Sequence, residues 1–274
     1  MSCSLALVIC SLGLAGPPGP VVDADKIVVY ATQALTNDWA ADPLFAYVER
    51  DEVQKSGKST SKAFEVLMVD GSDYHFPLAI DDQPLPPSRR KVELVKLREE
   101  VQRRRNQSPS ARQSRIDAWK RQRAETGELL LNFPEALTLE LLGEETKSGH
   151  PAYVFSATPR AGVRATTRAT RVLTGIEGKA WVEKDTLHPM YVEFSVVKPV
   201  PVFGVLASVL PGTEIEIGMT KVTDSIWLID RMSVKLSLSK MGVFRSTELT
   251  RYTYTQYRAN AAVLEEFLSE AERE

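Results

Sequence analysis

The chain has 274 residues, of which 43% are hydrophobic and 26% charged, with 34 Lys+Arg against 36 Asp+Glu. That length and apolar content support one large or two modest domains with a real core and exclude a disordered tail. A net charge of −2 argues against a dedicated nucleic-acid binder, and two Cys with three His leave little material for a metal cluster. No apolar run approaches the roughly 18 to 20 residues a membrane-spanning helix needs.

Leu5 to Leu14 is a short uncharged apolar run, followed by a Gly/Pro break at Gly16 to Pro20. Its length suits the hydrophobic region of a secretory signal occupying residues 1–24, with cleavage expected after Ala24 and a second small-x-small site after Ala15. No Lys or Arg precedes the run, and the alternative is an apolar strand or helix that stays in the protein. Cys10 raises lipid attachment, but Leu7-Val8-Ile9 lacks the small residue that should precede a lipidated cysteine. Both cysteines, Cys3 and Cys10, fall inside this leader, so the mature chain is expected to be thiol-free and periplasmic.

Residues 25–87 read as an N-terminal helix and the first strands. Ile27, Val28, Ala31, Ala34 and Leu35 have helical spacing within Asp25 to Ala41. Leu44 to Gln54, a turn at 55–58, and Ser59 to Val69 read as a β-hairpin, and Asp70-Gly71 signals a second. Tyr74, Phe76, Leu78 and Ile80 alternate with Asp73, His75 and Ala79, the period of a half-buried strand.

Residues 88–126 form a basic insert with 13 Lys+Arg and 5 Asp+Glu. Helix formers dominate it, and Ser108-Pro109 resembles an N-cap followed by a first-turn proline. A helical hairpin or a long broken helix is expected, attached at its ends and solvated along its middle. Its charges suit anionic lipid head groups, an envelope polymer or an acidic protein partner. The plainer reading is a solvated face offset by pairs such as Glu99 with Arg103 and Glu100 with Arg104. Nucleic acid is not expected, because no aromatic platform is interleaved with the arginines.

Residues 127–258 return to strands. Leu137, Leu139 and Leu141 alternate with polar positions, as do Tyr153 and Phe155; Ile176 to Val182 and Met190 to Val197 follow. Ile215, Ile217 and Met219 face away from Glu214 and Glu216, and Met232, Val234, Leu236 and Leu238 alternate with Ser233, Lys235, Ser237 and Ser239. Residues 259–274 read as a short amphipathic helix or a frayed tail. The sum is a mainly β (α+β) fold of roughly ten strands: an antiparallel meander curled into an incomplete β-barrel, with capping helices and the helical insert.

Gly178 to Glu193 (GKAWVEKDTLHPMYVE) combines a Gly-Lys-x-Trp-Val strand, an acidic turn with Asp-Thr, and a proline followed by an apolar strand ending in Glu. This resembles the periplasmic lipoprotein-sorting superfamily of carriers, receptors and lipid-sensing regulators. Tyr153-Val154-Phe155 and Arg171-Val172-Leu173 before it, with Ile226-Trp227-Leu228 and Glu248 to Tyr257 after it, extend the likeness over about Asn132 to Arg258, and more loosely over Phe45 to Leu85. The basic insert and the weak leader depart from the common pattern and imply a divergent relative. The resemblance implies a half-barrel without shared catalytic residues whose apolar concavity shelters acyl chains or another hydrophobic moiety.

The residues expected to line such a concavity are Tyr74, Phe76, Tyr153, Phe155, Ile215, Ile217, Val234 and Leu236. Uncharged Val200 to Pro211 offers either a helical plug or lid over Phe203 to Leu210, with Phe203 and Leu206 on the ligand, or a core-covering loop. His75, His150 and His188 are scattered in sequence, and no nucleophile-elbow, phosphate-loop, dinucleotide or zinc-helix motif is present, so no enzyme activity, metal or cofactor is expected. The expected function is an exported binding protein that holds a lipid or acylated protein. The alternative is an envelope sensor or adaptor that docks a protein partner, or touches a membrane peripherally, through the basic insert.

Overall fold

The computed structural model describes residues 23–162, 167–202, 207–240 and 244–273. Residues 1–22 of the expected leader, Phe203 and Leu206 therefore lie outside the described residues, while Asp23 and Ala24 are described. The first helix, α1 (Ala24–Ala41), starts where the Asp23 side chain accepts a hydrogen bond from the Lys26 N–H at 3.1 Å, and it buries Ile27, Ala31, Leu35 and Asp38 on one stripe. Pro43 stops it within a single 3₁₀ turn, Asp42–Leu44.

Strands β1 (Phe45–Lys55), β2 (Lys58–Val69), β3 (Ser72–Ile80) and β4 (Gln83–Pro84) follow. The first two turns are the two-residue pairs Ser56-Gly57 and Asp70-Gly71, all at positive φ, the conformation that matches the twist of flanking strands. The basic insert forms α2 (Pro87–Arg105) and α3 (Pro109–Leu131), and a four-residue turn of helix, α4 (Phe133–Ala136), leads into β5 (Leu137–Lys147) and β6 (His150–Pro159). Then come α5 (Arg168–Leu173), β7 (Ile176–Glu183), β8 (Pro189–Val196), β9 (Val200–Pro201), β10 (Ala207–Val209), β11 (Glu214–Thr223), β12 (Ile226–Lys240), β13 (Phe244–Ala259) and α6 (Asn260–Arg273).

All strands belong to one antiparallel sheet, ordered β4-β3-β2-β1-β13-β12-β11-β8-β7-β6-β5, with β9 and β10 paired to each other and β10 to β12. Among the described residues ten strands have eight residues or more, in line with the roughly ten expected. The first long strand lies against the last, so the meander wraps through its own termini, while β4 and β5 end the sheet without meeting. The result is an open half-barrel. The segment expected as a helical plug is, where described, the strand β10, because Ala207–Val209 pairs with both β9 and β12.

Helices α2 and α6 cover the outer face of β1–β3, where Leu67, Val69 and Phe76 pack against Leu94, Leu97 and Phe267. The other face is the inner one and carries α1, α3 and α4. The insert is not solvated along its middle. Arg104, 7% exposed, donates to Val69 O, Ser72 O and Ser72 Oγ, each at 2.9 Å, to Asp73 O at 3.0 Å and to Glu100 Oε1 at 2.6 Å. Arg112 and Arg115 reach Asp70 in the same turn at 2.7 Å and 3.3 Å. Arg90 pairs with Glu270 of α6 at 2.6 Å. Arg103 pairs with Glu100 at 2.6 Å instead of the Glu99 expected, because Glu100 lies between Arg103 and Arg104 on the helix surface. Much of the local positive charge thus fastens the insert to the sheet and to α6.

Candidate ligand-binding concavity

Two adjoining compartments lie between the inner face and the helices. The smaller, about 70 Å³, is lined by Val28, Ala31 and Leu35 of α1, Leu130 and Phe133 from the end of the insert, and Phe155, Val182 and Phe194 of the sheet. Thr32 and Tyr191 supply its hydroxyl groups, and the Thr32 hydroxyl is already spent on Val28 O at 2.7 Å. The larger, about 320 Å³, lies between the C-terminal end of α1, the middle of α3 and strands β1–β3 and β11–β13. Leu35, Leu130, Ile217 and Met219 line both, so the compartments meet across these four side chains.

The larger compartment mixes aromatic rings with charge. Tyr47 meets Tyr254 and Tyr257 at ring-centroid distances of 5.8 and 5.2 Å. Arg123 stacks over Trp39 at 4.0 Å, donates to the Trp39 carbonyl, and pairs with Asp42 at 3.3 Å. Burial pushes Asp42 up and Arg123 down, and each opposes the other's shift. On β1 and β3, His75 lies 3.9 Å from Glu49 and 3.2 Å from Asp73. Burial, with the neighbouring Asp51 carboxylate second, pushes Glu49 up to about 7. The three tyrosines are pushed up mainly by burial.

Glu49 therefore makes the fold pH-sensitive in a direction that can be worked out. A carboxyl raised from 4.5 to about 7 binds its proton more tightly in the folded chain than in the unfolded one. Its stabilising contribution is complete below about pH 4.5 and is lost as pH rises through about 7. Glu49→Gln mimics the protonated form. It should leave stability at pH 5 nearly unchanged and raise it at pH 8, by at most about 3 kcal/mol. Urea unfolding at the two pH values checks this, and an equal change at both would contradict it.

The expected lining residues divide by face. Phe155 and Ile217 line the concavity. Tyr153 packs beside Ile27 and Ala31 at the entry of α1, with Lys184 over its ring at 5.1 Å. Ile215, Val234 and Leu236 point inward but pack with Val196, Val200 and Val209, so β9 and β10 fill the space in front of them. Tyr74 and Phe76 are the correction: they face outward, Phe76 against Phe267 at 4.9 Å and Tyr74 under Arg104 at 6.0 Å. The apolar–polar alternation is as expected, but the outer face is also covered by helices, so the polar members Asp73 and His75 line the cavity.

The histidines also converge more than their sequence positions suggest. His150 and His188 both pack on Trp227, at 5.5 and 5.9 Å, and His188 Nε2 lies 3.6 Å from Asp38, whose other oxygen accepts the Trp227 backbone N–H at 3.2 Å. This cluster ties the end of α1 to β12. Tyr47, Glu49, Trp39 and Arg123 were absent from the expected lining; Glu49 and Arg123 gave no apolar periodicity to mark them.

No protein-family model and no curated protein matches the sequence. Similar solved structures include a DUF1329 family protein from Desulfovibrio piger, at 13% identity over 90% of this chain and 99% of that one, with a TM-score of 0.36. A lipoprotein-sorting protein domain from Vibrio parahaemolyticus has 13% identity over 88% and 99%, at a TM-score of 0.36. A LolA superfamily protein from Nitrosomonas europaea has 12% identity over 86% and 93%, at 0.35. Likeness at this level leaves function to the chain's own residues.

Proposed function

We propose that the protein is an exported, non-catalytic binding protein that holds an acyl chain or another lipid moiety in the half-barrel. The supporting observation is the smaller compartment, whose walls are almost wholly apolar and which is covered by α1 together with Leu130 and Phe133 from the end of the insert. Burial supplies about 0.8 kcal/mol per methylene, enough for a firm but reversible grip on one chain. Displacement of α1 opens both compartments together, since Leu35 lines each.

The test is native mass spectrometry of protein gently purified from its own envelope. The wild type should carry a lipid-sized adduct. Ala31→Phe and Val28→Phe, which push rings from α1 into the smaller compartment, should lose it while keeping a cooperative thermal transition. A clean apo mass for the wild type, or an unchanged adduct in both folded variants, would overturn the reading.

A further inference from the structure

The larger compartment has a charge imbalance that an acyl chain does not answer. Asp38, Asp42, Glu49 and Asp73 all line it, against Arg123 and His75. Arg123 is matched by Asp42, and His75 is shared between Asp73 and Glu49. Asp38 is 2% exposed, and its Oδ2 accepts no hydrogen bond, with His188 Nε2 at 3.6 Å its nearest basic group. Asp51, two residues along the same strand, has one buried oxygen without a hydrogen-bond partner, while its carboxyl and that of Glu49 interact directly through a side-chain hydrogen bond.

The rings around Glu49 add to this. Tyr254 stands directly opposite Glu49 in the β1–β13 register, and Tyr47 is two residues along the same strand. Tyr47 and Tyr254 meet edge to face at 72°. The faces of tyrosine rings are negative, so a carboxyl neighbouring two of them on the same stretch of sheet makes a place where a cation gains from both charge and quadrupole. Buried carboxylates without a counter-charge are costly, and a ligand that brings a cation removes that cost.

We propose that the natural ligand is an amphiphile bearing an ammonium group, its alkyl tail entering the smaller compartment as α1 moves aside to widen it, and its ammonium in the larger one against Glu49, Tyr47 and Tyr254. The proposal rests on the lipid-holding reading and adds the chemistry of the head group. The four shared side chains, Leu35, Leu130, Ile217 and Met219, would lie along the tail next to the head.

The experiment measures binding of four probes below their micelle concentrations: dodecyltrimethylammonium, dodecanol, dodecanoate and a dodecanoyl lysophosphatidylcholine. Wild-type protein should bind dodecyltrimethylammonium about tenfold more tightly than dodecanol, the size of a partly desolvated cation–π and charge contact, and dodecanoate most weakly. Glu49→Gln should abolish most of that preference and leave dodecanol binding unchanged. Tyr254→Leu, which keeps the carboxylate, should lower it in part.

Tighter binding of the lysophospholipid than of the simple ammonium would support a lipid head group as the source, and the reverse order a phosphate-free amine. Equal binding of ammonium and alcohol, or a preference untouched by Glu49→Gln, would overturn the ammonium assignment while leaving the holding function standing. Failure of all four probes to bind would overturn both.

Discussion

Arg104→Met is expected to lower the unfolding free energy by about 3 to 5 kcal/mol, the cost of removing one partner from a buried, fully bonded charge. The methionine keeps most of the side chain's bulk and removes every donor. Val69 O, Ser72 O and Asp73 O then lose their arginine donor together, at about 1 to 3 kcal/mol for each buried group left unsatisfied, offset where water enters. Glu100 keeps only Arg103. The neighbouring Arg105→Met, at an exposed position on the same turn, should change stability by no more than about 0.5 kcal/mol. Urea unfolding of the two variants decides the matter. A loss below about 1 kcal/mol for Arg104→Met would mean that the apolar contacts of Leu94, Leu97 and Val101 hold the insert by themselves.

Gly178→Ala should be comparably severe, for a steric reason. A Cβ at this position would sit 1.9 Å from Glu193 O, 2.9 Å from Glu193 C and 2.7 Å from Phe194 Cδ1. Two of those atoms are backbone, so β7 and β8 must part to make room. Phe194 is a wall of the smaller compartment and packs on Phe133 at 4.9 Å, so the same change should also distort the apolar cavity. The expected loss is about 3 kcal/mol or more, at the upper end of overpacking costs. Gly149→Ala is the control. Its φ of +85° strains any side chain, but nothing lies within 4 Å, and about 1 kcal/mol is expected. Equal stability of the two variants in thermal unfolding would refute the steric account. The glycine of the Gly-Lys-x-Trp-Val segment is thus explained by the carbonyl across from it.

The strand architecture was legible because its signals are local. Asp70-Gly71 takes the left-handed turn its residues favour, and Met232 to Leu238 alternates in the strand β12 as its serines suggest. Ser108 caps α3 through the Ala111 N–H at 3.3 Å, as the Ser-Pro pair suggests. The site was harder to read, for two physical reasons. Alternation separates the two faces of a strand without saying which is inside, and when helices cover both, the apolar set can lie on either. That is why Tyr74 and Phe76 were assigned inward and Asp73 and His75 were not. Long-range pairing leaves no periodic trace either: Arg104 meets residues some thirty positions away, and Glu49 meets Tyr254 across the junction of first and last strands. An arginine-rich stretch looks the same in sequence whether its charges face water or a neighbouring turn.

The two sheet ends that do not meet have a mechanical consequence. In a closed barrel, strand number and stagger dictate the radius, and widening it breaks a hydrogen-bonded seam. Here the seam is missing between β4 and β5, so the sheet can uncoil or tighten with its strand pairs intact. Each margin is also guarded against pairing with another chain: β4 is two residues long and ends in proline, and β5 is kinked by a bulge between Leu141 and Gly143. On the proposed lipid-holding reading, such a bore would adjust to ligands of unequal girth by a change of curvature while its margins stay guarded against pairing.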